Sequence, residues 1–235
     1  MSAIRELIPS LDTTDLEAAL RLVEATAGEP FVYGYKVGFA LGLGHGLPAV
    51  IRAIRERTPK PVIYDHQKAG TDIPDTGALF ASLMRDCGVD EVILFPQAGP
   101  ATLEAWVHAH QERGLRLVIG ALMTHASFLA SEGGFIADDA VVRILALSAR
   151  AGVRDFVVPL TRPERTRRLL EDAGIDPRGE ARFYSPGLGA QGGDPAAFGF
   201  LRHHRLIAGR TLLRASDPAA RVREIRDAIE PRSTP

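Results

Sequence analysis

Between Tyr64 and Pro74 the chain reads Tyr-Asp-His-Gln-Lys-Ala-Gly-Thr-Asp-Ile-Pro, which sets Lys68 between Asp65 and Asp72. The segment follows a hydrophobic strand signal, Pro61-Val62-Ile63-Tyr64. An ammonium held between carboxylates stays charged and fixed, and such a group can stabilise negative charge or deliver a proton. A second lysine, Lys36, stands inside the apolar run Tyr35-Lys36-Val37-Gly38. Burying its charge requires a carboxylate partner. Asp12, at the end of the preceding strand signal, is the candidate. A lone Asp–Lys pair reads as a structural ion pair. With Asp65 and Lys68 beside it, the pattern predicts an alternating row, Asp12–Lys36–Asp65–Lys68.

A second group of residues suits an anion. Ser185-Pro186-Gly187-Leu188-Gly189-Ala190-Gln191-Gly192-Gly193-Asp194 carries four glycines between Gly187 and Gly193, and Gly209-Arg210 follows the next strand signal. Glycines let backbone N–H groups close on a phosphate, and an arginine clamps it with two parallel hydrogen bonds. A glycine loop alone also fits a tight turn. Gln191 and Arg210 at adjacent strand ends favour the phosphate reading.

These residues need a scaffold that brings strand ends together. Short β-branched runs at Leu7–Asp12, Phe31–Gly38, Val62–Asp65, Glu91–Phe95, Leu115–Met123, Asp155–Pro159, Ala181–Tyr184 and Arg205–Ala208 predict strands. Helical periodicity fills the intervals: Thr14–Ala27, Leu47–Arg57, Thr76–Cys87, Ala101–Arg113, Asp138–Ala151, Pro163–Ala173, Asp194–Arg202 and Asp217–Ile229. The last two open on Asp-Pro, an N-cap with proline at the first helical position. Alternation of this kind predicts an α/β protein, a single (β/α)8 TIM barrel spanning residues 1–235, with Pro231–Pro235 as a frayed tail. An open doubly wound sheet is the alternative, but the first strand ends in Leu11-Asp12-Thr13-Thr14 rather than a glycine-rich dinucleotide turn. In a barrel the polar strand ends share one rim, where barrel enzymes keep their chemistry. That rim includes Thr124 and His125 after the fifth strand.

With 235 residues, 46% of them hydrophobic, the chain is long enough for one large core. A net charge of −1 gives no basic face for nucleic acid or anionic membrane. There is no signal-peptide layout at the N-terminus and no apolar run long enough to span a bilayer, so a cytoplasmic protein is expected. One cysteine, Cys87, excludes a disulfide framework and a Cys-x-x-Cys metal site; it reads as a buried core thiol. His108, His110, His203 and His204 read as helix-surface or helix-end residues, His66 as structural, and Trp106 as helix packing. Asp90-Glu91 and Asp138-Asp139 read as solvated element starts. No metal site is expected.

In combination, Leu11-Asp12, Tyr35-Lys36-Val37-Gly38, Asp65 to Pro74 with Thr76, Met123-Thr124-His125, Ser185 to Asp194 and Gly209-Arg210 resemble the orotidine 5′-phosphate decarboxylase family. These segments span nearly the whole chain, in the family's order. The resemblance implies a cofactor-free decarboxylase of pyrimidine synthesis acting on a nucleotide. It implies that Asp12 and Lys36 contact the ribose side and that Asp65, Lys68 and Asp72, with Lys36, form the catalytic network. Thr124 would read the pyrimidine, and Pro186, Gln191, Gly209 and Arg210 would hold the phosphate end. It further implies a homodimer, with Asp72 and Thr76 reaching the neighbour's site. The strand 3 motif departs from the family's Asp-x-Lys-x-x-Asp: six residues separate Asp65 from Asp72. Moving the lysine by one residue flips its face on a strand, so a bulge or an exit from the strand is required near His66-Gln67. Thr124-His125-Ala126 also departs from the family's Ser/Thr-His-Pro. Two other readings are a metal-dependent sugar-phosphate lyase of the same superfamily (keto-gulonate-phosphate decarboxylase or hexulose-phosphate synthase) and a non-catalytic phosphate-binding barrel. The lyase reading requires a carboxylate where Lys36 stands.

Overall fold

Among the described residues, eight strands form close to the β-branched runs: β1 (Ile4–Pro9), β2 (Tyr35–Gly38), β3 (Val62–Asp65), β4 (Glu91–Leu94), β5 (Arg116–Gly120), β6 (Asp155–Val157), β7 (Arg182–Pro186) and β8 (His203–Ala208). The computed structural model describes residues 3–66, 69–189 and 192–229. Lys68, Gln191 and the Pro231–Pro235 tail, named above, lie outside the described residues. The strands pair in parallel in the order β1-β8-β7-β6-β5-β4-β3-β2. Bridges Leu7–Val32 and Ser10–Lys36 join the two ends. Across that seam the Leu7 N–H donates to Phe31 O at 2.8 Å, Tyr33 N–H to Leu7 O at 2.9 Å and Leu11 N–H to Lys36 O at 2.8 Å. The sheet thereby closes into a (β/α)8 barrel.

The outer helices are α1 (Leu16–Thr26), α2 (Phe39–His45), α3 (Leu47–Arg55), α4 (Thr76–Asp86), α5 (Pro100–Glu112), α6 (Asp138–Arg150), α7 (Pro163–Asp172), α8 (Arg210–Leu213) and α9 (Pro218–Ile229). Side-chain caps start two of them: Asp15 accepts from Ala18 N–H at 3.0 Å and Asp217 from Ala220 N–H at 2.9 Å. Asp194 also caps, but the helix expected over Asp194–Arg202 is only a 3₁₀ turn, Pro195–Phe198. Phe198, Phe200 and Leu201 are all buried, and three apolar side chains in four positions do not form one helical stripe. Two short helices were not anticipated. α2 carries Gly42 and Gly44 and exposes Phe39 and Leu43, so neither propensity nor pattern announces it. α8 is a single turn.

Inside the barrel the side chains form three tiers, two residues apart along each strand. The middle tier is apolar: Ile8, Ile63, Ile93, Val118, Val157 and Ile207 pack together with Phe95 and Tyr184. Two residues nearer the strand N-termini lies a charged tier of Glu6, Glu91, Arg116, Asp155 and Arg205. Glu91 and Asp155 are both buried. Arg182 pairs with Asp155 through two 2.6 Å bonds. Arg116 and the Tyr184 hydroxyl donate to Glu91 at 2.5 and 2.8 Å. Arg205 donates to Glu6 at 2.7 Å and stacks over the Tyr33 ring at 3.3 Å. Glu91 is therefore an interior residue, contrary to its reading as a solvated strand start.

Other readings need correction too. His110 is buried between α4 and α5, beside Phe80 and Trp106. His203 and His204 lie on β8 rather than on a helix, and His204 is buried. Cys87 is half-buried at the end of α4. Burial pushes its thiol pKa up, with Asp86 adding to the effect, so it is not an activated nucleophile. No helix among the described residues is long and apolar enough to cross a membrane.

Candidate active site

The upper tier begins two residues beyond the apolar one, and here the inward side chains become polar. Ser10 follows Ile8, Asp65 follows Ile63, and Gly209 follows Ile207. Gly120 has no side chain because a Cβ there would lie 2.2 Å from the Phe95 ring. Above this tier opens a cavity of about 390 Å³, a size suited to a small ligand. Its lining includes Asp12, Lys36 and Asp65 from the first three strand ends and Pro186, Gly187, Gly209 and Arg210 from the last two, with Gly209 next to Asp12 because β8 pairs with β1. Between them lie Thr124 and an apolar patch of Ile93, Phe95, Leu122, Met123 and Val157. The cavity thus has a charged wall, an apolar floor and a glycine-rich end beside an arginine.

The charged wall is continuous. Lys36 is buried, and its Nζ donates to Asp65 Oδ2 at 2.9 Å and to Asp12 Oδ1 at 3.2 Å. Burial alone would lower the lysine's pKa, but Asp65 and Asp12 outweigh it and the net shift is upward. Lys36 is therefore an ammonium at neutral pH. Asp65 is buried too, and its second oxygen, Oδ1, finds no hydrogen-bond partner among the described residues. A buried carboxylate oxygen without a donor is costly, so this atom marks where a further donor belongs. Ser10, which sequence reasoning missed, donates to Asp12 Oδ2 at 2.6 Å. The available signal was its spacing: two residues before Asp12 puts it on the same inward face.

The glycine-rich end is shaped by its backbone. Gly187, Gly189 and Gly192 all have positive φ, at 113°, 78° and 72°, which other residues rarely tolerate. The Gly193 N–H donates to Gly187 O at 3.2 Å and the Gly192 N–H to Gly189 O at 2.9 Å. These two bonds hold Gly192 and Gly193 close to Gly187 and Gly189. Arg210, the first residue of α8, is exposed at the cavity and forms no ion pair with a described residue.

Asp72 and Thr76 do not line this cavity. Asp72 is exposed; its backbone carbonyl accepts from Thr102 Oγ1 at 2.8 Å, and its Oδ1 accepts from the Ile73 N–H at 2.7 Å. Thr76 opens α4 and donates to Ile73 O at 2.9 Å. A second cavity, of about 660 Å³, lies on the other side of the charged wall. It shares Asp12, Lys36 and Asp65 with the first and adds His66, Phe39 and Leu43. His66 is half-buried there, and its Nδ1 lies 2.8 Å from the Tyr64 hydroxyl. No group of three or more His, Cys, Asp or Glu side chains among the described residues is arranged to hold a metal ion.

Residues 5–225 match the family model described as Orotidine 5′-phosphate decarboxylase / HUMPS family. An orotidine 5′-phosphate decarboxylase of Methanosarcina barkeri is 33% identical, over 95% of this chain and 94% of the relative. That of Methanococcoides burtonii is 31% identical, over 97% and 99%. Among solved structures, orotidine 5′-phosphate decarboxylase from Pyrococcus horikoshii superposes with a TM-score of 0.78 at 26% identity, covering 95% of this chain and 99% of that one. The enzyme from Methanocaldococcus jannaschii, complexed with the inhibitor BMP, has the same fold with a TM-score of 0.81, 24% identity, and coverage of 97% and 99%. Matched from the first strand to the last helix, and sharing about a third of its residues with relatives of its own length, the chain belongs to the orotidine 5′-phosphate decarboxylase / HUMPS family.

Proposed function

We propose that the protein decarboxylates orotidine 5′-phosphate to uridine 5′-phosphate and carbon dioxide, the reaction after which its curated relatives are named. The observation that carries this reading is the wall Asp12–Lys36–Asp65, sharing one small cavity with a glycine- and arginine-lined end. Gly187, Gly209 and Arg210, with Gln191, bind the phosphate. Binding energy from that remote group then orients and strains the reacting end. Asp12 and Lys36 meet the ribose, and Thr124 meets the pyrimidine.

The bond between C6 and the carboxyl carbon breaks, and its electron pair stays on C6 while carbon dioxide leaves. Lys68 supplies the positive charge that stabilises this pair, then gives C6 its proton; solvent reprotonates the amine. Fixed charge in a water-poor site is worth far more than in water, and this reaction asks for a barrier reduction on the order of 20 kcal/mol. Oδ1 of Asp65, without a hydrogen-bond partner among the described residues, is suited to hold Lys68 in its charged form.

The protein acts as a homodimer. Phe39 and Leu43 on α2, Ile73, and Leu79 and Leu83 on α4 are exposed large apolar side chains, and they lie beside the second cavity or on the segment that carries Asp72 and Thr76. A second copy seated there covers them and places its own Asp72 and Thr76 near the charged wall. The sugar-phosphate lyase reading asks for a carboxylate at the position of Lys36. Here that position is a cation, and both neighbouring carboxylates already serve it.

The test is the absorbance change of orotidine 5′-phosphate with purified protein in EDTA. Conversion to uridine 5′-phosphate is expected. Conversion lost to EDTA and restored by Mg²⁺ would move the reading to the metal-dependent lyases. Binding of uridine 5′-phosphate without turnover would leave only a phosphate-binding barrel.

A further inference from the structure

Asp12 differs from the rest of the charged wall. Its side chain is 53% exposed, whereas those of Lys36 and Asp65 are 8% and 5% exposed. An exposed aspartate normally samples several rotamers, and ordering it when a ligand binds costs free energy. The bond from Lys36 to Asp12, at 3.2 Å, is long for a charge-assisted hydrogen bond. Lys36 is also shared with Asp65, at the shorter distance of 2.9 Å. Lys36 alone is therefore a weak restraint on Asp12.

The stronger restraint is Ser10. Its hydroxyl donates to Asp12 Oδ2 at 2.6 Å, and Ser10 itself is 1% exposed. Its backbone is pinned on both sides of the barrel seam: its N–H donates to Ala208 O at 2.8 Å, and it bridges to Lys36. One glycine makes room for the carboxylate so held: a Cβ on Gly38 would lie 2.8 Å from Asp12 Oδ1. A carboxylate has about four acceptor sites. Ser10 and Lys36 take one on each oxygen, which leaves one per oxygen for incoming hydroxyls.

We propose that Ser10 is a positioning residue for the reaction: it locks Asp12 so that both carboxylate oxygens face neighbouring hydroxyls of the substrate's sugar. The identity of that sugar, the ribose, rests on the decarboxylase reading. Binding to a carboxylate already in place avoids the ordering cost, and the gain extends to the transition state because the ribose anchors the reacting ring.

The experiment is a double-mutant cycle in the full-length chain: Ser10→Ala, Asp12→Ala and the two combined, with Ser10→Thr as the variant that keeps the hydroxyl. Steady-state kinetics on orotidine 5′-phosphate give kcat and KM. Losing one hydrogen bond to a charged group lowers kcat/KM by about tenfold in Ser10→Ala. In the Asp12→Ala background the same change costs nothing further, and Ser10→Thr restores most of the loss. An equal loss in both backgrounds, or none in either, overturns the proposal, since a merely structural serine would act without regard to Asp12. A crystal structure of Ser10→Ala serves as a readout free of substrate: the Asp12 carboxylate is expected to turn from its present rotamer. If the wild type converts no orotidine 5′-phosphate, the decarboxylase reading falls; the crystal structure then decides the Ser10 proposal alone, and an unmoved Asp12 overturns it.

Discussion

Lys36 Nζ lies 2.9 Å from Asp65 Oδ2, and both side chains are buried, so each charge is largely shielded from bulk solvent. With Oδ1 of Asp65 already lacking a described partner, replacing Lys36 by Met would leave both oxygens of a buried carboxylate without a described donor. Breaking a buried pair from one side typically costs about 3–5 kcal/mol. Lys36→Met is expected to lose stability on that scale in urea denaturation. A loss under 1 kcal/mol would mean that water reaches Asp65.

Lys68 carries the proton in the proposed mechanism and has no part in holding the phosphate. Lys68→Ala should therefore lower turnover to the limit of detection while the affinity for uridine 5′-phosphate, by calorimetry, stays within about tenfold of wild type. Turnover retained in this variant would remove Lys68 from the mechanism.

Arg210 stands at the glycine-rich end with no ion pair to a described residue, so its charge is available to a ligand. Removing a hydrogen-bonded charge from a phosphate costs roughly 1.5–3 kcal/mol. Arg210→Ala should lower kcat/KM for orotidine 5′-phosphate by one to two orders of magnitude, on that same scale. The corresponding nucleoside, which lacks the phosphate, should be processed equally by variant and wild type. An equal loss on the nucleoside would show that Arg210 acts elsewhere.

Two buried histidines are expected to contribute to the acid limb of stability. Burial lowers the His110 pKa to about 4, partly offset by its Nδ1–H bond to Trp106 O, and burial lowers that of His204 to about 3. In the unfolded chain each titrates near 6.5. Between those values the unfolded state binds protons that the folded state does not. Their contribution is complete above about pH 6.5 and is lost as the pH falls toward 4 and then 3, roughly 3 kcal/mol for His110 alone. Urea midpoints should hold level from pH 7.5 to about 6.5 and then fall toward pH 4.5, and His110→Gln should flatten that lower slope. An unchanged slope in the variant would assign the acid limb to other groups.

Leu79 and Leu83 expose apolar surface on α4, the helix that begins at Thr76. Placing a charge inside a packed interface opposes association. In the proposed dimer α4 lies in the interface, so Leu79→Asp is expected to sediment as a monomer at micromolar concentration and, with Asp72 and Thr76 no longer beside a neighbour's site, to lose most of its activity. A monomeric wild type, or a fully active monomeric variant, would refute the shared site.

The charged wall was legible in the sequence because a lysine inside an apolar strand demands a partner, and Asp12 and Asp65 both meet that demand. The barrel was legible from its alternating periodicities. What failed was the reading of polar residues at strand starts and on helices. Glu91 follows Asp90, and such a pair looks solvated. Only closure of the barrel turns Glu91 inward, toward Arg116 and Tyr184 on strands distant in sequence. His110 was hidden by the same limit: its neighbour Phe80 comes from another helix. Ser10 escaped notice because serine is common and its role depends on a rotamer. α2 was missed because its glycines argue against a helix that tertiary contacts nonetheless stabilise.

The apolar tier of Ile8, Ile63, Ile93, Val118, Val157 and Ile207 acts as an electrical insulator along the barrel axis. It parts one set of charges, which holds the strands together, from the Asp12–Lys36–Asp65 wall, to which the proposed mechanism assigns chemistry. On that assignment, substitutions at Glu91 or Arg205 are felt as lost folding, and those at Asp12 or Lys36 as altered reactivity as well. A lineage carrying this fold can retune one end without renegotiating the other.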